Sequence, residues 1–289
     1  MIKKSIYGWF LLLPSMVLLV TFTHYPAIAT FIDSFFSNKT IFKPRTFVGF
    51  DNYVNLLNDE IFLKTLENTF LFSIGTVPFV IVISLAMALL VNGNLFGKGL
   101  VRLVYFTPTI LPMVAVANVW LFFYSPEIGL FNKILNYFGF EGYNWLGNSS
   151  TVLSSIIVMT IWKEAGFFMI FYLAALQSLP KELIEAAKIE GASKWMVFKK
   201  VIFPLLMPTT FFVFVNAVLN SFKLVDHLFI LTKGGPDNAS NLLLYYIYET
   251  AFSFFDYAYA STLTVVLLII LVLISFLQFS LIEKKIHYR

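Results

Sequence analysis

The chain alternates long apolar stretches with short polar ones, and the apolar stretches set its architecture. Nearly uninterrupted apolar runs cover residues 9–32, 68–91, 101–124, 152–178, 201–227 and 259–282. Each reaches the ~20 residues that an α-helix needs to cross ~30 Å of hydrocarbon. The pattern predicts an all-α membrane protein with six transmembrane helices, because in lipid a helix satisfies its own backbone polar groups. A further apolar segment, NLLLYYIYETAFSFF at 241–255, covers only 15 residues and contains Glu249. It is read as a surface or re-entrant helix, not as a span.

Composition agrees with this reading. The chain is 59% hydrophobic and 12% charged, holds 34 Phe, and has a mean hydropathy of +0.82. Six spans in 289 residues leave no room for a separate soluble domain of ~100 residues. The organisation expected is an N-terminal segment at 1–8, a transmembrane domain over 9–282 with a polar loop at 180–200, and a basic tail at 283–289. Lys3 and Lys4 before an apolar run, with small residues at Ala27–Ala29, have the outline of a signal peptide. The apolar run continues to Phe36, however, which is long for such a segment, so an uncleaved first span is expected.

Charge placement orients the spans. With the N-terminus inside, the inner segments carry Lys3, Lys4, Lys98, Arg102, Lys181, Lys188, Lys194, Lys199, Lys200, Lys284, Lys285 and Arg289. The outer loops carry half as many basic residues: Lys39, Lys43, Arg45, Lys64, Lys133 and Lys233. Basic residues concentrate on the cytoplasmic side, so both termini are placed there. The outer loops at 33–67, 125–151 and 228–258 are long enough to meet a partner outside.

One inner loop stands apart. PKELIEAAKIEGASKW, Pro180–Trp195, holds three Glu and three Lys in a chain poor in charge. Pro180 suits the first turn of a helix. Glu182 and Glu185 near the start and Lys188 near the end complement the helix dipole. Gly191 is placed to end the helix in a left-handed conformation, and Ser193 to cap a second helical piece. A helix of about 11 residues (~16 Å), a sharp turn and a second helix are expected. Residues alone leave two readings open: a solvated connector lying on the membrane, or an amphipathic helix docked in a partner's groove.

EAAKIEGASKWMVFKKVIFP, Glu185–Pro204, resembles the EAA signature of ABC importer permeases. Glu185, Ala186, Ala187 and Gly191 match it; Val201 and Phe203–Pro204 stand at its last positions with conservative changes. LAALQSLPKELIEAA, FKLVDHLFILTKGGPDNAS, FVGFDNYVNLL at 47–57, PEIGLFNKIL at 126–135 and NWLG at 144–147 resemble the carbohydrate-type branch of that superfamily. The matches follow in order along nearly the whole chain. The resemblance implies a type I (MetI-like) permease in a bacterial inner membrane. It implies as partners a second homologous permease subunit, two cytoplasmic ABC ATPases, an extracytoplasmic solute-binding protein and surrounding lipid. It also implies that Glu185, Ala186, Ala187 and Gly191 form a coupling helix pushed by the ATPases, that the path works by alternating access, and that a sugar or sugar-like substrate crosses.

Aligned on TPTILP, WKEAGF and FKLVDH, the maltose type's sugar-lining positions carry over to Thr109, Met113, Lys163, Glu164, Ala217, Ser221 and Leu224. Met113, Ala217 and Leu224 depart from the hydroxyl and amide residues found there. Lys163 and Glu164, mid-span, are costly unless they face a cavity or a partner helix. Neighbouring residues point ~100° apart, so one is expected to face the path and the other an adjacent helix. Asn216 and Asn220 add polar groups to the fifth span. Lys223 and Asp226, near its outer end, can pair with each other.

No catalytic set is present. GNLFGKGL, Gly93–Leu100, has the wrong spacing for a P-loop and Gly99 where Ser or Thr should follow the lysine. His24, His227 and His287 have no metal-ligand spacing, no G-x-S-x-G is present, and the absence of cysteine excludes thiolate sites. No cofactor, metal or nucleic-acid partner is expected. A glycerol-phosphate importer shares the same motifs and would favour Lys163 or Lys223 facing the path. A stand-alone secondary transporter would need inverted repeats and ion-coupling carboxylates, and no half-to-half similarity is visible.

Overall fold

The computed structural model describes residues 2–39, 43–93 and 96–282; the tail at 283–289 lies outside them. The described residues are α-helical with a single isolated bridge, Phe36 to Phe47. The chain forms two compact units. One comprises the chain up to Leu63 with Tyr246–Ile270, the other Lys64–Tyr245 with the chain from Leu271.

In the first unit, α1 (Ile2–Leu19) runs through a π-helical turn, Val20–His24, into α2 (Tyr25–Asp33). Trp9–Asp33 is apolar enough to span a membrane, and none of it is buried within the chain. A helix apolar on every side has to be covered by lipid or by another chain. The loop after it is tied down by polar side chains. In α3 (Asp51–Leu57), Asn52 donates to the carbonyls of Ser34 and Phe36, each at 2.9 Å, and Tyr53 Oη lies 2.7 Å from Ser34 Oγ. Asp59 then caps α4 (Glu60–Asn92): its Oδ1 accepts from the N–H groups of Ile61 and Phe62. Its Oδ2 accepts from the hydroxyls of Tyr246 and Tyr259 at 2.6 and 2.7 Å. Burial pushes the Asp59 carboxyl up, but these four donors outweigh burial and hold it below the ordinary value of 3.8.

The second unit holds most of α4, then α5 (Lys98–Ile110), α6 (Met113–Phe123), α7 (Leu130–Tyr137), α8 (Val152–Ser178), α9 (Lys181–Ile189) and α10 (Lys194–Val197). A π-turn at Phe198–Ile202 and α11 (Phe203–Leu205) lead into α12 (Met207–Lys223), α13 (Leu228–Leu231) and α14 (Leu243–Tyr248). The described part of the chain ends in α15 (Tyr257–Ile282), which belongs to the first unit as far as Ile270 and to the second from Leu271. Among the described residues, five helices are long and apolar enough to cross a membrane, or six if α5 and α6 count as one.

That sixth span departs from the straight helix expected at 101–124. It is bent by 100° between α5 and α6. Pro112 is the cause: it has no N–H to continue the ladder, and it forces Leu111 into an extended conformation (ψ 135°). The segment at 241–255, expected as a surface or re-entrant helix, is α-helical only in part. Only Leu243–Tyr248 is α-helical, a π-turn at Glu249–Ser253 follows, and Leu242, Leu243 and Tyr245 are buried. The backbone before it is irregular yet satisfied. Asn68 donates to the carbonyls of Asn238 (2.7 Å) and Asn241 (3.0 Å), and Thr69 Oγ1 accepts the N–H of Leu243. Buried irregular backbone survives only where other protein groups take over its hydrogen bonds.

The core of the second unit gathers Phe72, Trp120, Tyr124, Ile156, Met159 and Leu228. The loop after α6 is organised by Asn132, which is 2% exposed. Its amide donates to the carbonyls of Pro126 and Tyr143, and its Oδ1 accepts from Tyr143 N–H and Trp145 Nε1. Two stretches singled out in the sequence, PEIGLFNKIL and NWLG, thus meet through one fully used carboxamide.

Candidate functional site: a polar loop and a polar recess

The loop at 180–197 is built by local hydrogen bonds. Pro180 occupies the capping position before α9, not its first turn, and the helix runs nine residues. Gly191 has φ +80°, in the left-handed region. Its N–H donates to the Lys188 carbonyl and that of Ala192 to the Ala187 carbonyl, each at 3.0 Å. This pair of bonds is a Schellman ending, and only glycine takes that φ without strain. Ser193 Oγ then accepts the N–H of Met196 and starts α10. No α9 residue is buried: Glu185, Ala186 and Gly191 are exposed and Ala187 is half-buried. Apolar side chains stand in the open beside them, with Ile189 87% and Trp195 69% exposed. A short helix that offers both small and apolar residues and buries none is suited to a groove on another molecule.

The second constellation lies where α4, α8 and α12 face one another. Of the nine residues expected along a path, Glu164, Ala217, Asn220, Ser221 and Leu224 line one narrow recess, with room for about one water molecule. Glu164 is half-buried and its side chain is hydrogen-bonded by Asn220. Thr76 and Thr160 complete the polar lining, and Ser221 Oγ lies 2.9 Å from Ser73 Oγ. Sequence reasoning passed over Ser73, Thr76 and Thr160. The signal for the first two was there: Thr65, Asn68, Thr69, Ser73 and Thr76 recur at helical spacing, a polar stripe down an otherwise apolar α4.

The remaining four point elsewhere. Lys163 is 8% exposed, and its ammonium donates to the carbonyls of Pro108 (3.2 Å) and Leu111 (2.8 Å). It thereby fills acceptors left open at the end of α5 by the Pro112 break. Thr109 Oγ1 donates to the Lys163 carbonyl at 3.1 Å. Gly166, next along α8, lets the two backbones touch, since a methyl group there would collide with the Tyr105 carbonyl oxygen. Met113 is buried in the core, and Asn216 donates back to Phe212 in its own helix at 2.7 Å. Lys163 and Glu164 are neighbours in sequence, but no ion pair joins them among the described residues.

An all-helical chain of five or six membrane-crossing helices, with an exposed EAA loop and a polar wall within the bundle, is a permease. The chain belongs to the family of binding-protein-dependent transport system inner membrane components, whose model matches residues 80–288. It is 32% identical to the sulfoquinovosyl glycerol transport system permease protein of Agrobacterium fabrum over 95% of this chain and 90% of that one. It is 30% identical to the trehalose/maltose transport system permease protein of Thermococcus litoralis over 91% and 89%. Its fold superposes on a chain of a bacterial alginate ABC transporter with a TM-score of 0.85, at 24% identity, covering 96% of this chain and 94% of that one. The type I permease fold expected from the sequence is the fold observed, and the chain is a multi-pass membrane subunit for ABC-type transport, not a stand-alone carrier.

Proposed function

We propose that this chain is one of two permease subunits of an ATP-driven, binding-protein-dependent carbohydrate importer. It forms half of the path, works by alternating access, and carries no catalytic chemistry of its own. The observation that carries the reading is α9, a helix with Glu185, Ala186 and Ala187 that buries nothing and ends on a glycine stop. Such a helix transmits force as a rigid lever when it sits in a groove of a separate cytoplasmic ATPase. The recess lined by Glu164, Asn220 and Ser221 is one wall of the path. By itself it is too small to enclose a sugar, which fits a path completed by a second, homologous permease. Both termini and α9 face the cytoplasm, in keeping with the basic residues at 1–8, 180–200 and 283–289. The long loops on the other side receive a solute-binding protein. Relatives whose names specify sugars or sugar glycosides support a carbohydrate cargo.

The chain has no cysteine, which gives a direct test. Ala186→Cys, labelled with a photoactivatable maleimide in the assembled transporter, should cross-link to the ATPase subunit. Cross-linking to lipid alone, or uptake that continues without a P-loop ATPase, removes the coupling role from α9. Glu185→Ala should abolish uptake while leaving the permease in the membrane.

A further inference from the structure

Two adjacent charges sit in the middle of α8, and the geometry separates their roles. The Lys163 ammonium is turned toward α5 and occupied by the carbonyls of Pro108 and Leu111. Lys223 is exposed at the end of α12 and does not line the recess. Glu164 is therefore the one ionisable side chain at the recess, among Thr76, Thr160, Asn220 and Ser221. The other lining residues are uncharged; Lys163, one residue along α8, acts on the carboxylate electrostatically, but its ammonium is turned to the carbonyls of Pro108 and Leu111. Carboxylate oxygens accept hydroxyl and ammonium donors well. Inside a membrane protein, where screening is weak, the same oxygens repel an anion strongly.

We infer that Glu164 makes this half of the path selective by charge, passing neutral or amine-bearing sugars and opposing phosphorylated or acidic ones. The inference rests on the reading of the recess as a path wall, and it sets this chain against a glycerol-phosphate cargo. The hydroxyls of a neutral sugar bond to Glu164 and Asn220 as it passes. A phosphate or carboxylate on the cargo would meet Glu164 with like charge and find no cation among the residues that line the recess.

The absence of native cysteine makes the local charge measurable. Leu224→Cys places a thiol on the recess of the complete transporter in membrane vesicles. Cationic, anionic and neutral methanethiosulfonates are then compared by mass spectrometry of this chain, each rate divided by its rate with a free thiol. The cationic reagent should react faster than the anionic one by about tenfold or more, the size expected from juxtaposed like charge. Adding Glu164→Gln should bring the two rates together, and Glu164→Lys should reverse their order. Equal rates in the Leu224→Cys protein, or a ratio untouched by Glu164→Gln, overturn charge selection while leaving the path reading standing. No reaction with the neutral reagent as well, whatever nucleotide is present, shows that the recess is not on an aqueous path and overturns both. At the level of cargo, uptake of glycerol 3-phosphate as fast as trehalose by the unaltered transporter also overturns the inference.

Discussion

The loop at 180–197 and the α5–α8 junction beside the recess differ in where their hydrogen bonds go. In the loop, each diagnostic bond spans five residues or fewer: Gly191 to Lys188, Ala192 to Ala187, Met196 to Ser193. At the junction the bonds reach across 50 residues or more, from Lys163 to Pro108 and Leu111 and from Thr109 to Lys163. The loop is consequently a preformed part whose shape is set by its own residues. The junction is a fixed point whose loss disturbs everything packed on it. Function and stability should separate along the same line.

The sharpest way to break that comparison is Gly191→Val. A β-branched residue at φ +80° is strained by ~1–2 kcal/mol, enough to redirect the turn. Binding-protein-driven uptake should fall about tenfold or more, since ~1.4 kcal/mol corresponds to a factor of ten. The amount of permease in the membrane and its melting temperature should barely change. Normal uptake would show that the left-handed stop is dispensable. Gly166→Ala probes the other side. Its methyl group meets the Tyr105 carbonyl oxygen, so stability should drop by ~1–3 kcal/mol, read as a lower melting temperature of the purified complex.

Lys163→Met keeps the length of the side chain and removes the donor to two carbonyls. A loss of ~1–3 kcal/mol is expected, with charge selectivity at the recess far less affected than by Glu164→Gln. A variant that changed selectivity and left stability intact would place Lys163 on the path after all. The smallest effect belongs to Ser193→Ala, which deletes one capping bond at a cost of ~1 kcal/mol. Hydrogen exchange should speed up at 194–197 and nowhere in α8.

Legibility followed the range of the interactions. Gly191 and Ser193 were readable as helix stop and cap because their partners lie within the same short stretch. The spans were readable because a run of apolar residues is sufficient for insertion. The helical segment at 181–189 was placed to within two residues, with Pro180 misassigned to the first turn. Lys163 was not readable as a helix cap, because its partners belong to a helix broken by Pro112, and the break itself looked like one continuous apolar run. Burial of Leu242 and Leu243 was equally hidden, since the side chains that satisfy their backbone, Asn68 and Thr69, lie on α4.

By itself the amino-acid order determined what this protein is made of: apolar helices of membrane length, a polar loop with its own start and stop signals, and the motif that places it among ABC importer permeases. Those properties are local, and hydrophobicity, backbone conformation and short-range hydrogen bonds are sufficient to encode them. Only the tertiary structure decided which of two adjacent charges on α8 supports the fold and which faces the recess. Helical phase put them about 100° apart, but what stands at each of those directions depends on how α4, α5 and α12 pack around α8.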